Sequence, residues 1–323
     1  MDKPKTLQQA IIHFSNPDNC IDFMVERRWP NGVECPACGS RDVRFLATRR
    51  IWECKSRHPK RQFSAKVGTI MEDSALSLDK WLVAMWMVAN CKNGVSSYEV
   101  ARALGVTQKS AWFMLHRIRL AMQTKSTMKL GGRGSEVEVD ETFIGGKARN
   151  MHPHVHQRRI VQGGPHDKTI VMGMLERGGE VRAQIIPYRR KNVVQREVRE
   201  NVTAMSTLLT DRLQSYEGLI RDYAHYMVDH AECYVDGKVH TNGLENFWSL
   251  LKRGLKGTYV SVEPFHLFRY LDEQVFRYNF RATKKNKLND GDRFEHVASH
   301  VIGKRLTYSE LTGKTTTTCS LPN

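Results

Sequence analysis

No stretch of this sequence is apolar for long enough to cross a bilayer. The most apolar segment, Trp81 to Ala89, falls far short of the ~20 residues that a spanning helix requires. Nor does the opening, Met1-Asp2-Lys3-Pro4 running into Thr6 to Phe14, contain an apolar stretch followed by a small-residue cleavage site. A secretory leader is therefore not expected, and the expected setting is the cytoplasm. Cysteine is scarce and odd in number, seven in 323 residues, which argues against a disulfide framework. Acid is short as well: 34 Asp and Glu face 50 Lys and Arg, leaving a formal charge of +16. So large an excess of one sign calls for an anionic partner, and nucleic acid is the natural one, although some basic chains are merely soluble. No internal repeat is visible. Apolar side chains make up 40% of the chain, which excludes global disorder, and the length suits two or three domains.

Two N-terminal segments carry specific signals. Cys35-Pro36-Ala37-Cys38-Gly39 places two thiolates where both reach one tetrahedral zinc, and Cys54 and His58 supply the second pair. Val43 to Leu46 and Arg50 to Glu53 read as the two strands that a zinc ribbon needs. The alternative is a redox pair, which would want a thioredoxin-like βαβ setting that this sequence does not display. Further on, Ser96 to Trp112 has the spacing of a helix-turn-helix. Ser96 and Glu99 suit a capping box, Gly105 the turn, and Thr107 the cap of the second helix. That helix carries Lys109, Arg117 and Arg119, which are the expected contacts to double-stranded DNA. A helical hairpin packed only within the protein is the competing reading.

After Gly131-Gly132-Arg133-Gly134-Ser135, the best linker candidate, the pattern changes to strands. Glu136 to Asp140 alternates, Thr169 to Leu175 is a continuous apolar run, and Val181 to Pro187 follows across Gly178-Gly179 as a hairpin. A helical stretch near 192–204 leads to a short strand, Leu208 to Asp211. Strong helices are expected from about Asn242 to Arg253 and from Pro264 to Asn279, so the whole reads as a mixed sheet covered by helices. Acids are depleted in strands, so Asp140 and Asp211, each read as ending one, need a reason to be there. In the first strong helix Leu244, Phe247, Trp248 and Leu251 face a core, while Glu245, Ser249 and Lys252 share a bordering face. Asn242 and Glu245 also fit a capping box, which would make Glu245 only a helix-start residue. Three gathered carboxylates are the hard oxygen ligands that magnesium prefers. Two such ions ~3.5–4 Å apart serve an in-line exchange at a phosphodiester, and Lys252 would hold a phosphate. His152, His154 and His156 read as a solvated loop.

Three stretches resemble the zinc-ribbon DDE transposases of bacterial insertion sequences, of the ISXO-like type. They are the ribbon with Gln62-Phe63-Ser64 and Gly68-Thr69-Ile70, then Val139 through Lys147, and finally His240 through Gly254 continuing to Tyr270–Glu273 and Arg277–Asn279. The resemblance implies a multidomain chain, with a zinc ribbon and helix-turn-helix followed by an α/β RNase H-like catalytic domain. It implies Mg2+ or Mn2+, two ions per site, held by Asp140, Asp211 and Glu245, with Asn242 nearby and Lys252 as basic partner, and a structural Zn2+. The substrate implied is the inverted repeats at transposon ends, joined to target DNA by a homodimer or higher oligomer in the bacterial cytoplasm, at the nucleoid. The expected boundaries are a helical segment at 1–30, the ribbon at 31–72, the helix-turn-helix domain at 73–130, the catalytic domain at 131–285 and a partly disordered C-terminal extension at 286–323. A DNA-binding regulator without catalysis, or a nuclease that cleaves without joining, are the rival expectations.

Overall fold

The computed structural model describes residues 4–123, 127–145, 168–211, 214–228, 240–284 and 286–314. The triple-histidine segment and the tail from Thr315 lie outside these. The chain divides into two units, Met1–Gln123 with Ala282–Asn323, and Thr124–Arg281. No helix among the described residues is long and apolar enough to cross a membrane.

In the first unit, α1 (Leu7–Phe14) and α2 (Pro17–Arg28) precede a three-stranded antiparallel sheet of β1 (Val43–Leu46), β2 (Ile51–Cys54) and β3 (Gln62–Phe63). Trp29, Trp52 and Phe63 pack edge-on and stacked to give this small sheet its own apolar centre. Then come α3 (Leu78–Asn90), α4 (Ser97–Leu104) and α5 (Gln108–Met122). The capping predictions hold in detail. Ser96 and Glu99 form a reciprocal box, Gly105 takes the left-handed conformation at φ +60°, and the Thr107 hydroxyl accepts from the Ser110 N–H.

The second unit is a five-stranded sheet in the order β6-β5-β4-β7-β8. It comprises β4 (Glu136–Ile144), β5 (Thr169–Glu176), β6 (Val181–Ile186), β7 (Thr207–Asp211) and β8 (Ala224–Val228). The first three form an antiparallel meander, while β7 runs parallel to β4 and β8 parallel to β7. Asp140 does not end its strand. β4 continues to Ile144 because Thr142, Phe143 and Ile144 pair with Val171, Ile170 and Thr169. The edge strand β8 was not anticipated. Alternation along β4 sends Val137 and Val139 to one face, against α6 (Lys191–Asn201) through Val194 and Val198. The opposite face packs Val171 and Leu175 against α7 (Asn242–Gly254) and α8 (Leu267–Asn279), through Leu244, Phe247, Trp248, Leu251 and Leu271. This is a mixed α/β sheet consistent with an RNase H-like fold.

The chain then returns to the first unit. In α9 (Asp290–Ser299), Phe294 packs on Phe14, Phe23 and Trp86, and Ile302 bridges to Thr69. A short α10 (Tyr308–Leu311) follows. Residues 286–314 thus build part of the first unit and are not an appendage to the second. Their return also corrects the reading of α5, because Arg117 and Arg119 are only 5% and 1% exposed. The Arg117 guanidinium donates to the carbonyls of Leu306 and Glu72 at 2.9 and 2.8 Å and lies over the Phe113 ring. Lys304 donates to the carbonyls of Leu120 and Gln123, satisfying acceptors that the C-terminus of α5 leaves open. Only Lys109, at the start of the helix, is exposed.

Candidate active site and metal centre

The ribbon gathers its four expected ligands. Cys35 and Cys38 stand before β1, Cys54 ends β2, and His58 lies in the turn towards β3. One ligand atom from each falls within 4.8 Å of all the others. Cys38 Sγ is 3.6 Å from Cys54 Sγ, and Cys35 Sγ is 3.4 Å from His58 Nε2. A disulfide would need ~2.05 Å between sulfurs, whereas a tetrahedron with Zn–S of ~2.3 Å and Zn–N of ~2.0–2.1 Å has edges of roughly 3.5–3.8 Å. The donor set and its spacing therefore fit a structural zinc and not a redox pair.

In the second unit the strand register brings the two aspartates together. Val139 is aligned with Thr210 across the parallel β4–β7 ladder, so the next residue on each strand, Asp140 and Asp211, stand beside one another. Glu245 comes from α7, packed against the same face. Asn242 and Glu245 do not form the competing capping box: Thr241 is the N-cap, its own side chain makes no capping bond, and Glu245 is the fourth residue of the helix and exposed. Asn242, exposed, opens the helix one turn earlier, and Lys252, half-buried, lies two turns later.

Trp248 is a participant that pattern reading assigned only to the core. Its indole Nε1–H donates to Asp140 Oδ2 at 2.9 Å, while Oδ1 accepts from the Glu141 N–H at 2.8 Å. Gly173, opposite Asp140 on β5, makes room for that indole. A Cβ there would meet Trp248 Cζ2 at 2.6 Å and Cη2 at 2.8 Å. Burial pushes the Asp140 carboxyl from an ordinary 3.8 up to about 6. The Trp248 bond opposes this, and the charges of Asp211 and Glu245 add to it. Asp211 and Glu245 are thus each near enough to Asp140 to raise its carboxyl, although among the described residues only the four ribbon ligands have their donor atoms all within 4.8 Å of one another. Across the sheet, Glu141 is pushed to about 7 by burial, against the pull of the Tyr216 hydroxyl and of Arg189 at 3.2 Å.

An aspartate inside β4, a second at the end of β7, a helix-borne glutamate and an upstream zinc ribbon are the combination expected of DNA-transposing proteins with an RNase H-like core. Comparisons with known proteins agree. The ISXO2-like transposase domain matches residues 129–279, and the transposase zinc-ribbon domain matches residues 15–57. A protein in transposable element ISH50 of Halobacterium salinarum is 26% identical over 290 residues, covering 85% of this chain and 95% of that protein. A transposase-like protein of Haemophilus influenzae is 30% identical over 83 residues, 25% of this chain and 67% of that protein. The chain belongs to the zinc-ribbon, ISXO2-like transposase family.

Proposed function

We propose that this protein is an insertion-sequence transposase that binds the inverted repeats at its element's ends and cuts and joins DNA there. What supports the reading is that Asp140 and Asp211 stand side by side on adjacent strands, with Glu245 on the helix packed over that face and near enough to raise the Asp140 carboxyl. Their mutual repulsion contributes to holding the Asp140 carboxyl near 6. These carboxylates would hold two Mg2+ or Mn2+ ions. When bound, such ions stabilise charge on the attacking and leaving oxygens of an in-line displacement. The chain's own side chains do the rest. Trp248 fixes the rotamer of Asp140 without neutralising it. Lys252 offers a point charge to a phosphate oxygen, and Asn242 presents an amide to the DNA backbone at the helix start.

Two phosphoryl transfers follow in this reading. Water attacks the phosphorus at the element's end, the bond to the 3′ oxygen breaks, and that oxygen leaves as a hydroxyl. The freed 3′-hydroxyl then attacks a target phosphodiester, so one bond forms as another breaks. Lys109, exposed at the start of α5, meets DNA together with the ribbon. Joining two ends in one event calls for a dimer or larger assembly on DNA.

A strand-transfer assay on oligonucleotides bearing the element's ends tests this. Asp140→Asn and Glu245→Gln should lose strand transfer and keep end binding. Wild-type levels of joining in either variant would remove that residue from the reaction. Cleavage without joining by the unaltered protein would make it a nuclease.

A further inference from the structure

The face of β4 that carries Asp140 carries two more acids at every second position, Glu136 and Glu138, spaced by about 6.5–7 Å as strand geometry dictates. Glu138 is the anomaly: a carboxylate 1% exposed, in the middle of a sheet. Isolated, such a charge would be costly to bury, so its partners explain why it is there. One of its oxygens, Oε2, accepts the backbone N–H of Leu244 at 2.9 Å. Leu244 is the third residue of α7, and its N–H is one of the donors that a helix start leaves open. An N-cap side chain normally takes that bond, yet Thr241 makes no such bond here. The other oxygen, Oε1, accepts from Arg177 Nε at 2.9 Å. The same guanidinium reaches Glu136 at 2.6 Å and donates to the His240 carbonyl at 2.7 Å, on the residue just before the cap. Space is matched to the bond. A Cβ on Gly243 would stand 2.7 Å from Glu138 Oε2 and 2.5 Å from Leu175 Cδ2.

We propose that Glu138 is a positioning residue: it caps α7 from the neighbouring strand and, locked by Arg177, sets where Glu245 stands relative to Asp140. The inference rests on the active-site reading above and deepens it. Asp140 is two residues along the same strand from Glu138, and Glu245 is the residue after Leu244. One carboxylate thus ties together the backbones that carry two of the three acids. The helix start gains a full negative charge at its positive end as well. A clamp of this kind needs no contact with substrate, and its loss shifts a ligand without deleting it.

The test uses the full-length, zinc-loaded protein with Mn2+ as probe, in Glu138→Gln, Gly243→Ala and Asp140→Asn. The amide keeps an oxygen for the Leu244 N–H but surrenders the charge that holds Arg177. The alanine methyl pushes the helix start off the strand. Mn2+ binding is read from the free-ion signal by electron paramagnetic resonance, strand transfer is measured across the same titration, and the folded fraction is followed by circular dichroism. Folded Glu138→Gln and Gly243→Ala should bind Mn2+ about 10-fold more weakly or worse, as lost supporting contacts do at metal sites, and should recover part of their joining activity at high Mn2+. A purely structural role would lower the folded fraction and leave the Mn2+ midpoint of the folded protein unmoved, and that result overturns the proposal. Should Glu138→Gln fail to fold, Gly243→Ala decides alone. Asp140→Asn reports separately on the active-site reading: if it binds Mn2+ and joins DNA like the unaltered protein, that reading fails, whatever the clamp variants do.

Discussion

Replacing Asp140 with Asn should destroy the reaction and yet stabilise the protein when magnesium is absent. Folding raises this carboxyl from 3.8 to about 6. The native state therefore holds a proton that the unfolded chain releases between about pH 4 and pH 6, and the stability present below about pH 4 is lost as the pH rises through 6. The gap between those values corresponds to about 3 kcal/mol at neutral pH. Against it stands one lost acceptor, since an amide oxygen cannot serve both the Trp248 indole and the Glu141 N–H; that costs about 1 kcal/mol. The net gain of about 2 kcal/mol should raise the melting temperature of the second unit by about 4–8 °C. The measurement is thermal unfolding of zinc-loaded protein from pH 5 to 8 with no magnesium added, and without chelator, which would strip the ribbon. Adding magnesium at one hundred times its Kd should stabilise the unaltered protein by about 2.7 kcal/mol, leave Asp140→Asn in place, and so reverse their order. An Asn variant no more stable than its parent at pH 8, or equal stabilisation of both by magnesium, would refute the reasoning.

The ribbon should hold one zinc per chain by metal analysis; His58→Cys should retain it, and His58→Ala should weaken it by more than about 100-fold, because a direct ligand matters more than its supports. Lys109→Ala should weaken DNA binding with its salt slope reduced by about 1, as measured by fluorescence anisotropy across a salt series, and should cost no more than about 1 kcal/mol of stability, from the Tyr308 ring 4.8 Å from its ammonium. Arg117→Ala, on the same helix, should instead cost about 2–4 kcal/mol in denaturant unfolding, since it strands the carbonyls of Leu306 and Glu72. Gly173→Ala should cost about 1–3 kcal/mol by overpacking against Trp248 and shift the tryptophan emission of the native state; an unaltered spectrum with full stability would mean that the indole has another place to go.

What could be read from the sequence was what short-range chemistry decides. The Cys-x-x-Cys knuckle, the Ser96–Glu99 box, the Gly178-Gly179 hairpin and the apolar stripe Leu244–Phe247–Trp248–Leu251 all follow from neighbours within a few residues, and each formed as expected. The failures needed partners far along the chain. The guanidiniums of Arg117 and Arg119 looked like a basic helix face because nothing local says that residues from Ala282 onward come back to cover it. The end of β4 was set too early because its last three residues are held by β5, some thirty positions away. β8, an edge strand with Tyr226 and Met227 half exposed, lacks the apolar run that marks a buried one. Trp248 was seen as core, which it is, but the donor it turns towards Asp140 is visible only once Gly173 is seen to leave space for the ring.

In the proposed reading, the contrast between Glu138 and Asp140 separates a positioning acid from a metal-holding one on a single strand face. Both are carboxylates on β4, two residues apart, and both meet α7. Glu138 is paired with a guanidinium, so its charge is answered within the fold and nothing further is required. Asp140 is given two neutral donors, the Trp248 indole and a backbone N–H, which orient its oxygens while leaving the charge unanswered among the described residues, and Asp211 and Glu245 add to the deficit. An arginine in the place of Trp248 would satisfy Asp140 permanently and leave no demand for a divalent cation. If Asp140 holds metal as proposed, a neutral donor keeps that demand open until metal and substrate arrive together, and the about 3 kcal/mol of stability forgone at neutral pH is the form in which it is stored.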